Sequence, residues 1–489
     1  MRRSLETLRN SWQGLQFLLV IGLSTFFAGC GGSSNPVNPP VAGAPTNVVV
    51  LLTSTANDKL TQFALAITSV SLRDSAGNTV TLFNDPSRNG VSGLTEFMRL
   101  NGTSQPLVTA SVPQAIYTSA TVKVSYCHFA TVTVVAGGLV QSFDAQGVCG
   151  QGTGNTTVNL PSPITISGPA MALSFNLQVT QSYTLTATNQ YTISPVFTVT
   201  SAAISANPTN DGNGKISGIN ARITSVDVSG NSFVAQTADG ISLTLSANST
   251  TVYQGLAGLS NLAQGTLVNL DSAIQPTGTL LATRVEVQNP GAVTSDLMLP
   301  LTPASPAGTT VAQPSDCFPA PGAVPVCHGA FFTFTGTAFH VSGQFSNLQG
   351  LPFTPTFNSS SSVLGQSFLV SSTSSQLVPG GLLATDITLE PQTINGTVTA
   401  VANAGGFSIY TVRLAPYQVI PTTQQLPVVA PFAAIASPST VLVYADANTQ
   451  LLQSGPIAPG SLLRFRGLVF SDNGTLRMDC ARILDGVTP

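Results

Sequence analysis

Hydrophobic positions along this chain recur with a period of two. Phe63-Ala64-Leu65-Ala66-Ile67-Thr68-Ser69-Val70-Ser71-Leu72 alternates throughout, and Thr79–Phe83 resumes the pattern after Asp74-Ser75-Ala76-Gly77-Asn78. Alternation of this kind predicts half-buried strands, and the Asp/Gly/Asn run predicts the turn between them. Val48–Leu52 is a continuous apolar run, and Tyr117–Tyr126, Ala170–Val179, Tyr183–Ala187 and Val196–Ile204 predict further strands. Thr95–Leu100 reads as a short helix or a turn. Helical apolar spacing over long windows is missing beyond the first thirty residues. Short strands rich in β-branched residues, separated by turn signals, point to sandwiches and barrels. The expected fold class is all-β: an N-terminal β-sandwich followed by three small β-barrel-like modules.

One hairpin can be registered on paper. Residues 128–135 and 140–148 read as its arms, around Ala136-Gly137-Gly138-Leu139. A three-residue loop at 137–139 sets Ala136 against Val140, so Cys127 falls opposite Cys149. Directly opposed antiparallel residues have Cα atoms roughly 4.5–5.5 Å apart, within disulfide reach. Cys317 and Cys327 form a second local pair that closes a Pro-rich loop, and Cys480 is left over. In an exported chain such local pairs read as disulfides.

Export is what the first thirty residues predict. Arg2, Arg3 and Arg9 precede an apolar run over residues 15–23, the pattern of a signal peptide. Phe27-Ala28-Gly29-Cys30 resembles a bacterial lipobox, with Phe27 where leucine is usual. The resemblance implies lipidation at Cys30 (palmitate among its acyl groups) and cleavage before it. Gly31-Gly32-Ser33-Ser34 follows without an Asp, which in a diderm cell resembles the outer-membrane sorting pattern. A plain signal peptide with an incidental cysteine, or an uncleaved anchor, is the competing reading. Residues 1–29 are thus expected to be signal peptide, and 30–46, rich in Gly, Ser, Pro and Asn, a flexible tether.

Residues 47–205 form the expected sandwich. Its Phe63–Asp74 strand with Gly77, its Leu100-Asn101-Gly102 segment, Val112-Pro113 and Tyr117–Val122 resemble a family of exported bacterial lipoprotein domains, domain of unknown function four-three-eight-two. Ala115 stands where that family has glycine. The resemblance implies an exported β-sandwich and no activity. Further on, Gly278–Val287 is echoed by Gly380–Leu389 and more loosely by Gly474–Leu484, so that Leu280, Leu382 and Leu476 correspond. Gly265, Gly365 and Gly460 precede the three copies. The copies resemble domain of unknown function five-six-six-six, which implies small barrels. The expected boundaries are module 1 over 212–290, a Pro-rich linker with the disulfide loop over 291–329, module 2 over 330–391 and module 3 over 392–489.

Composition narrows the function. Only 7% of the 489 residues are charged, against about 25% in an ordinary soluble protein. Without residues 1–29 the net charge is near −5, and lysine occurs only at positions 59, 123 and 215. The clustered cations of nucleic-acid binding are missing; Arg464, Arg466, Arg477 and Arg482 read as a solvated face. Glu96, Glu286 and Glu390 are the glutamates beyond residue 6, the last two expected to face solvent, and no carboxylate pair is nominated for glycoside hydrolysis. The histidines are His128, His328 and His340. Cys127-His128 and Cys327-His328 cannot each chelate one ion from a strand, where neighbours point to opposite faces. Asp211-Gly212-Asn213-Gly214-Lys215 starts like a calcium loop but reaches Arg222 where a glutamate is required, and 150–155 is Gly-rich without a phosphate-loop lysine. No enzyme, metal or cofactor is implied. The expected function is that of a cell-envelope lipoprotein with a non-catalytic, structural or interaction role, presenting tandem β domains at the outer surface or in the periplasm. Its expected partners are the membrane, through the lipid anchor, and an envelope protein or glycan. The alternative is a glycan- or small-ligand-binding surface lipoprotein using Tyr253 or Tyr444; a hydrolase with dispersed residues is the remaining class.

Overall fold

The period-two pattern is realised as strands throughout, and the protein is all-β. The computed structural model describes residues 44–487 except 56–61, 91–92, 136–138, 146–153, 186–190, 206, 209–212, 289–291, 300–308, 319–329, 334–335, 344–347, 359–365, 373–381 and 415–439. The expected signal peptide, Cys30 and the expected tether up to residue 43 therefore lie outside the described residues.

The first region contains β1 (Thr46–Ser54), β2 (Gln62–Asp74), β3 (Thr79–Asn84), β4 (Leu94–Glu96), β5 (Gln105–Val112), β6 (Ala115–Val135), β7 (Leu139–Ala145), β8 (Gly154–Ile166), β9 (Ala170–Leu177), β10 (Tyr183–Leu185), β11 (Tyr191–Ile193) and β12 (Phe197–Ala203). One sheet runs β12-β9-β1-β5 and a second runs β3-β2-β6-β7, with β4 added to β2 and β8 to β6. Residues of both sheets share one apolar core, including Val50, Leu52, Phe63, Leu65, Val122 and Phe175. The predicted turn is closed by Asp74, whose Oδ1 accepts from the amides of Ala76 (2.9 Å) and Asn78 (2.7 Å). Thr95–Leu100 begins as the end of β4 and continues as a turn.

The β6–β7 hairpin exists, with a corrected register. Phe129 faces Ala145 and Val135 faces Leu139, so the loop is 136–138 and facing residue numbers sum to 274 rather than 276. The strands meet one residue earlier than the Gly-Gly signal suggests. The direct opposition of Cys127 and Cys149 does not follow from this register, and Cys149 lies outside the described residues.

Three β modules of related plan follow: five strands close into a barrel in modules 1 and 3, and module 2 is a seven-stranded sheet. Module 1 has β13 (Lys215–Asp227), β14 (Ser232–Thr237), β15 (Ser242–Ser246), β16 (Val252–Gln254), β17 (Leu267–Ile274) and β18 (Leu280–Val287). Its path β15-β14-β13-β17-β18 closes through a parallel β15–β18 contact, Leu245 against Leu280.

Module 2 has β19 (Ala292–Leu299), β20 (Thr309–Phe318), β21 (Ala330–Thr333), β22 (Ala338–Val341), β23 (Ser367–Ser372), β24 (Leu382–Leu383) and β25 (Asp386–Leu389). The stretch expected as a linker therefore supplies its first two strands. β19 is central, flanked by β20 and β23. Prolines 300, 303, 306, 319, 321 and 325 fall in the connections, while Pro314 lies in β20 beside a register shift, a position that tolerates the missing donor. β24 and β25 together take the place of β18: β24 pairs in parallel with β21, Leu382 against Phe332, and β25 pairs with β22 and β23.

Module 3 has β26 (Gln392–Ala404), β27 (Phe407–Leu414), β28 (Thr440–Leu451), β29 (Leu462–Asp472) and β30 (Thr475–Asp485), and closes as β26-β27-β28-β30-β29. Leu476 pairs with Val441 in the parallel β28–β30 contact. Leu280, Leu382 and Leu476 thus each sit in a parallel pairing near the end of their module, as the repeat predicts. In modules 1 and 3 the preceding glycine also matches. Gly265 (φ 88°) and Gly460 (φ 96°) adopt a left-handed backbone that favours glycine, and each donates its amide to the first strand, at Ile223 and Val398.

The described residues from 44 onward pack as one compact unit. Module 1 shares the sandwich core, adding Phe233, Leu245, Leu270 and Val285 to it. Modules 2 and 3 share another cluster, in which Phe357, Phe368 and Ile387 meet Leu468 and Phe470 of β29.

Candidate functional site

Charge is scarce in this chain, so the location of each ionic group is informative. Three polar clusters lie between modules. The first joins the sandwich to module 1. Arg88 is 4% exposed; it donates from Nε to the Ile67 carbonyl (3.1 Å) and from Nη2 to the Gly93 carbonyl (2.8 Å) and Asp239 Oδ2 (3.1 Å). Gln105 Nε2 donates to both oxygens of Asp239 at 3.1 Å. Burial alone raises a carboxyl's pKa; at Asp239, Arg88 and the hydroxyls of Thr237 and Thr95 more than offset it, and the group sits below its usual range.

The second cluster joins module 1 to module 2. Arg284 pairs with Asp271 (Nε to Oδ2, 3.0 Å) and with Glu286. Asn269 Nδ2 donates to Asn220 Oδ1 (2.7 Å), Asn220 Nδ2 donates to Glu390 Oε2 (3.4 Å), and the Gly343 amide donates to Glu286 Oε1 (3.0 Å). Neither glutamate faces solvent, which corrects the expectation. Glu390 is 8% exposed, and its Oε1 has no hydrogen-bond partner among the described residues. Burial, reinforced by Glu286, pushes its pKa up to about 7.

The third cluster returns the sandwich to module 3. Arg464 Nη1 donates to Asn101 Oδ1 (2.7 Å), Arg482 Nη1 to the Gly102 carbonyl (2.9 Å) and Thr393 Oγ1 to the Asn101 carbonyl (2.6 Å). Thr103 Oγ1 donates to Ser217 of module 1 at 2.8 Å. The Leu100-Asn101-Gly102 motif is therefore a junction for both end barrels. Its turn is shaped by Glu96, whose carboxylate accepts from the amides of Phe63 (2.8 Å), Met98 (3.1 Å) and Arg99 (2.9 Å); burial raises that pKa to about 7. The arginines expected on a solvated face do not form one: Arg466 and Arg482 are buried at 7% and 2% exposure. Arg477 stacks over Phe353 and Tyr444 and pairs with Asp472 at 3.0 Å.

A cavity of about 490 Å³ opens beside the β26–β27 turn of module 3, between Asn403–Ser408 and Ala445–Ala447. Phe407 forms its aromatic wall, edge-on to Tyr444 at 6.2 Å. Tyr444 itself is 4% exposed and packs against Phe353 at 5.0 Å, so it offers no open platform. Tyr253 is half-buried against the module 1 core. Asp446 is the charged residue of the lining. Nearby Asp479 is raised to about 7 by burial and by Asp446.

The remaining sequence candidates are dispersed. Cys127 is buried at 2% exposure. Cys317 lies on β20 opposite Thr294, while Cys327, His328 and the 150–153 and 211–212 loops lie outside the described residues. Cys480 is a buried free thiol that donates to the Arg482 carbonyl (3.3 Å); burial pushes its pKa up. His340 pairs with Asp386 at 3.0 Å on module 2. No three His, Cys, Asp or Glu residues gather as a metal site among the described residues.

No family model and no curated protein matches the chain. Among solved structures it is similar to Drosophila Unr CSD456, at 11% identity and a TM-score of 0.13, over 55% of this chain and 97% of that one. A likeness that low carries no inference about fold or function.

Proposed function

We propose that the protein is a non-catalytic lipoprotein of the cell envelope, anchored through an acylated Cys30 and presenting fused β modules outside the cytoplasm, at the outer membrane of a diderm cell. Bridges Cys127–Cys149 and Cys317–Cys327 belong to this reading. The observation that carries it is the use made of the few charged side chains. Arg88, Asp239, Glu286, Glu390, Arg464 and Arg482 are committed to contacts between modules. This suits a load-bearing or display body better than reaction chemistry. The lipobox resemblance at Phe27-Ala28-Gly29-Cys30 supplies the anchor. Cys30→Ala should move the protein from the membrane to the soluble fraction and abolish its labelling by a fatty-acid analogue. Unchanged fractionation and labelling would refute the anchor.

A glycan- or small-ligand-binding role is a second reading, favoured by one observation, the cavity beside Phe407. Five-stranded barrels of this size are known to bind oligosaccharides on their faces.

A further inference from the structure

We infer that the cavity beside the β26–β27 turn of module 3 binds a neutral saccharide chain, with the Phe407 ring as its stacking face and Asp446 and Asn403 as its hydroxyl-reading groups. The inference rests on the second reading above and is independent of the lipid anchor.

Size and openness come first. A volume of about 490 Å³ is within the range of roughly 300–1,000 Å³ typical of small-ligand sites. Its floor is made of small residues: alanines at 404, 445 and 447 and the glycine pair 405–406. A Cβ added to either glycine would meet nothing within 4 Å, so the space over the turn is open. Residues 399–404 of β26 are exposed in succession, and the turn stands clear of the barrel. A chain can therefore lie across the cavity without having to thread into it.

The chemistry of the lining selects among ligands. Phe407 is half-buried and held edge-on by Tyr444, whose hydroxyl is bound in turn by Arg477. A fixed ring with an open side suits the apolar face of a pyranose. The Asp446 carboxylate is positioned before any ligand arrives. Its Oδ1 accepts from the amides of Asn448 (2.9 Å) and Thr449 (3.1 Å), and its Oδ2 accepts from Asn448 Nδ2 (2.9 Å). Oδ2 has that single bond among the described residues and can accept a further hydroxyl donor in a charge-assisted bond. Ser408 Oγ donates to Asn403 Oδ1 (3.1 Å), which orients the Asn403 amide so that its nitrogen can donate. Acceptor, donor and ring face together match a sugar. No cation lines the cavity, which disfavours an anionic ligand such as a phosphate or uronate.

The test exploits the tryptophan count. Trp12 is the one tryptophan of the chain, far from this site in sequence. Phe407→Trp keeps a stacking face and installs a reporter at the cavity. The full chain carrying it is titrated with maltohexaose, cellohexaose and chitohexaose, with calorimetry of the parent in parallel. The expected result is a saturable fluorescence change with at least one hexasaccharide. Phe407→Ala and Asp446→Asn should each weaken the calorimetric affinity by about tenfold, with unchanged circular dichroism and melting temperature. Binding should be nearly insensitive to salt. The inference is overturned if none of the three saccharides saturates up to about 10 mM, or if Phe407→Ala binds as well as the parent. It is also overturned if spermidine binds in a salt-sensitive manner that needs Asp446 but not Phe407, since that defines a cation site. Failure here leaves the membrane fractionation of Cys30→Ala untouched, so the two readings fail separately.

Discussion

Replacing Glu390 with glutamine should remove a pH-dependent part of the protein's stability. Glu390 stands at the end of β25, where module 2 meets module 1; Asn220 is its hydrogen-bond partner, Glu286 raises its pKa, and Arg466 and Arg284 lower it without restoring the ordinary value. In the unfolded chain its carboxyl titrates near 4.5, and in the folded chain near about 7. Between those values the unfolded state gives up the proton first, so folding must retain it, and stability falls as pH rises. The contribution is fully present below pH 4.5 and is lost as pH passes through about 7. That rise corresponds to about 3 kcal/mol. Glu96 and Asp479, both raised to about 7, act in the same direction. The parent therefore retains a falling trend that Glu390→Gln reduces without abolishing. The assay is urea unfolding of parent and variant between pH 4.5 and 8, followed by near-ultraviolet circular dichroism. The expected observation is a parent-minus-variant stability that declines by about 3 kcal/mol across that range. A difference that stays flat with pH would refute the burial argument, whatever the absolute stability of the variant.

Removing either member of the Arg88–Asp239 pair leaves the other buried and uncompensated. Arg88→Ala or Asp239→Ala should each cost about 3–5 kcal/mol in denaturant unfolding, and the double variant less than the sum; additive losses would show that the pair is not coupled. The proposed cysteine bridges make a covalent prediction. Non-reducing peptide mapping of the purified protein should recover Cys127 joined to Cys149 and Cys317 joined to Cys327, with Cys480 alkylated after unfolding; free thiols at Cys127 and Cys149 would remove the first bridge.

Much of the fold was legible because strand pattern is local. Alternation located β2 and β3, the Asp74 turn closed where its residues said it would, and the repeated leucines each sit in a parallel pairing near the end of their module. The linker was misread because proline density was weighed without position. Its prolines cluster in two connections, and the one inside a strand, Pro314, sits where the register shifts. A subtler repeat went unseen. Thr251, Thr337 and Thr449 each donate a hydroxyl to the last segment of their module, at the carbonyls of Ala282 (2.7 Å), Ala384 (2.7 Å) and Cys480 (2.8 Å). One threonine among many carries no periodic signal, and only alignment on the leucines could have exposed it. The burial of Glu286, Glu390 and the C-terminal arginines was illegible for a different reason. Each is covered by a module far away in sequence, and no local pattern encodes that. The cavity beside Phe407 likewise depends on β28 reaching the β26–β27 turn.

The junction at residues 100–103 shows why these modules behave as more than a string. Contacts of Asn101 and Gly102 with module 3 span 292, 363 and 380 residues, and Thr103 reaches module 1 across 114. The last barrel is therefore fastened to the first domain, and both ends of the array meet on one turn held by Glu96. Closing loops of that length costs entropy that only the finished interface returns. Local pairs such as β6–β7 and β26–β27 can form early, but the Arg464 and Arg482 contacts can form only after module 3 exists. High contact order of this kind implies slow final docking. It also implies that damage at the turn spreads: loss of the Glu96 carboxylate frees the Met98 and Arg99 amides and loosens the seats of two barrels at once.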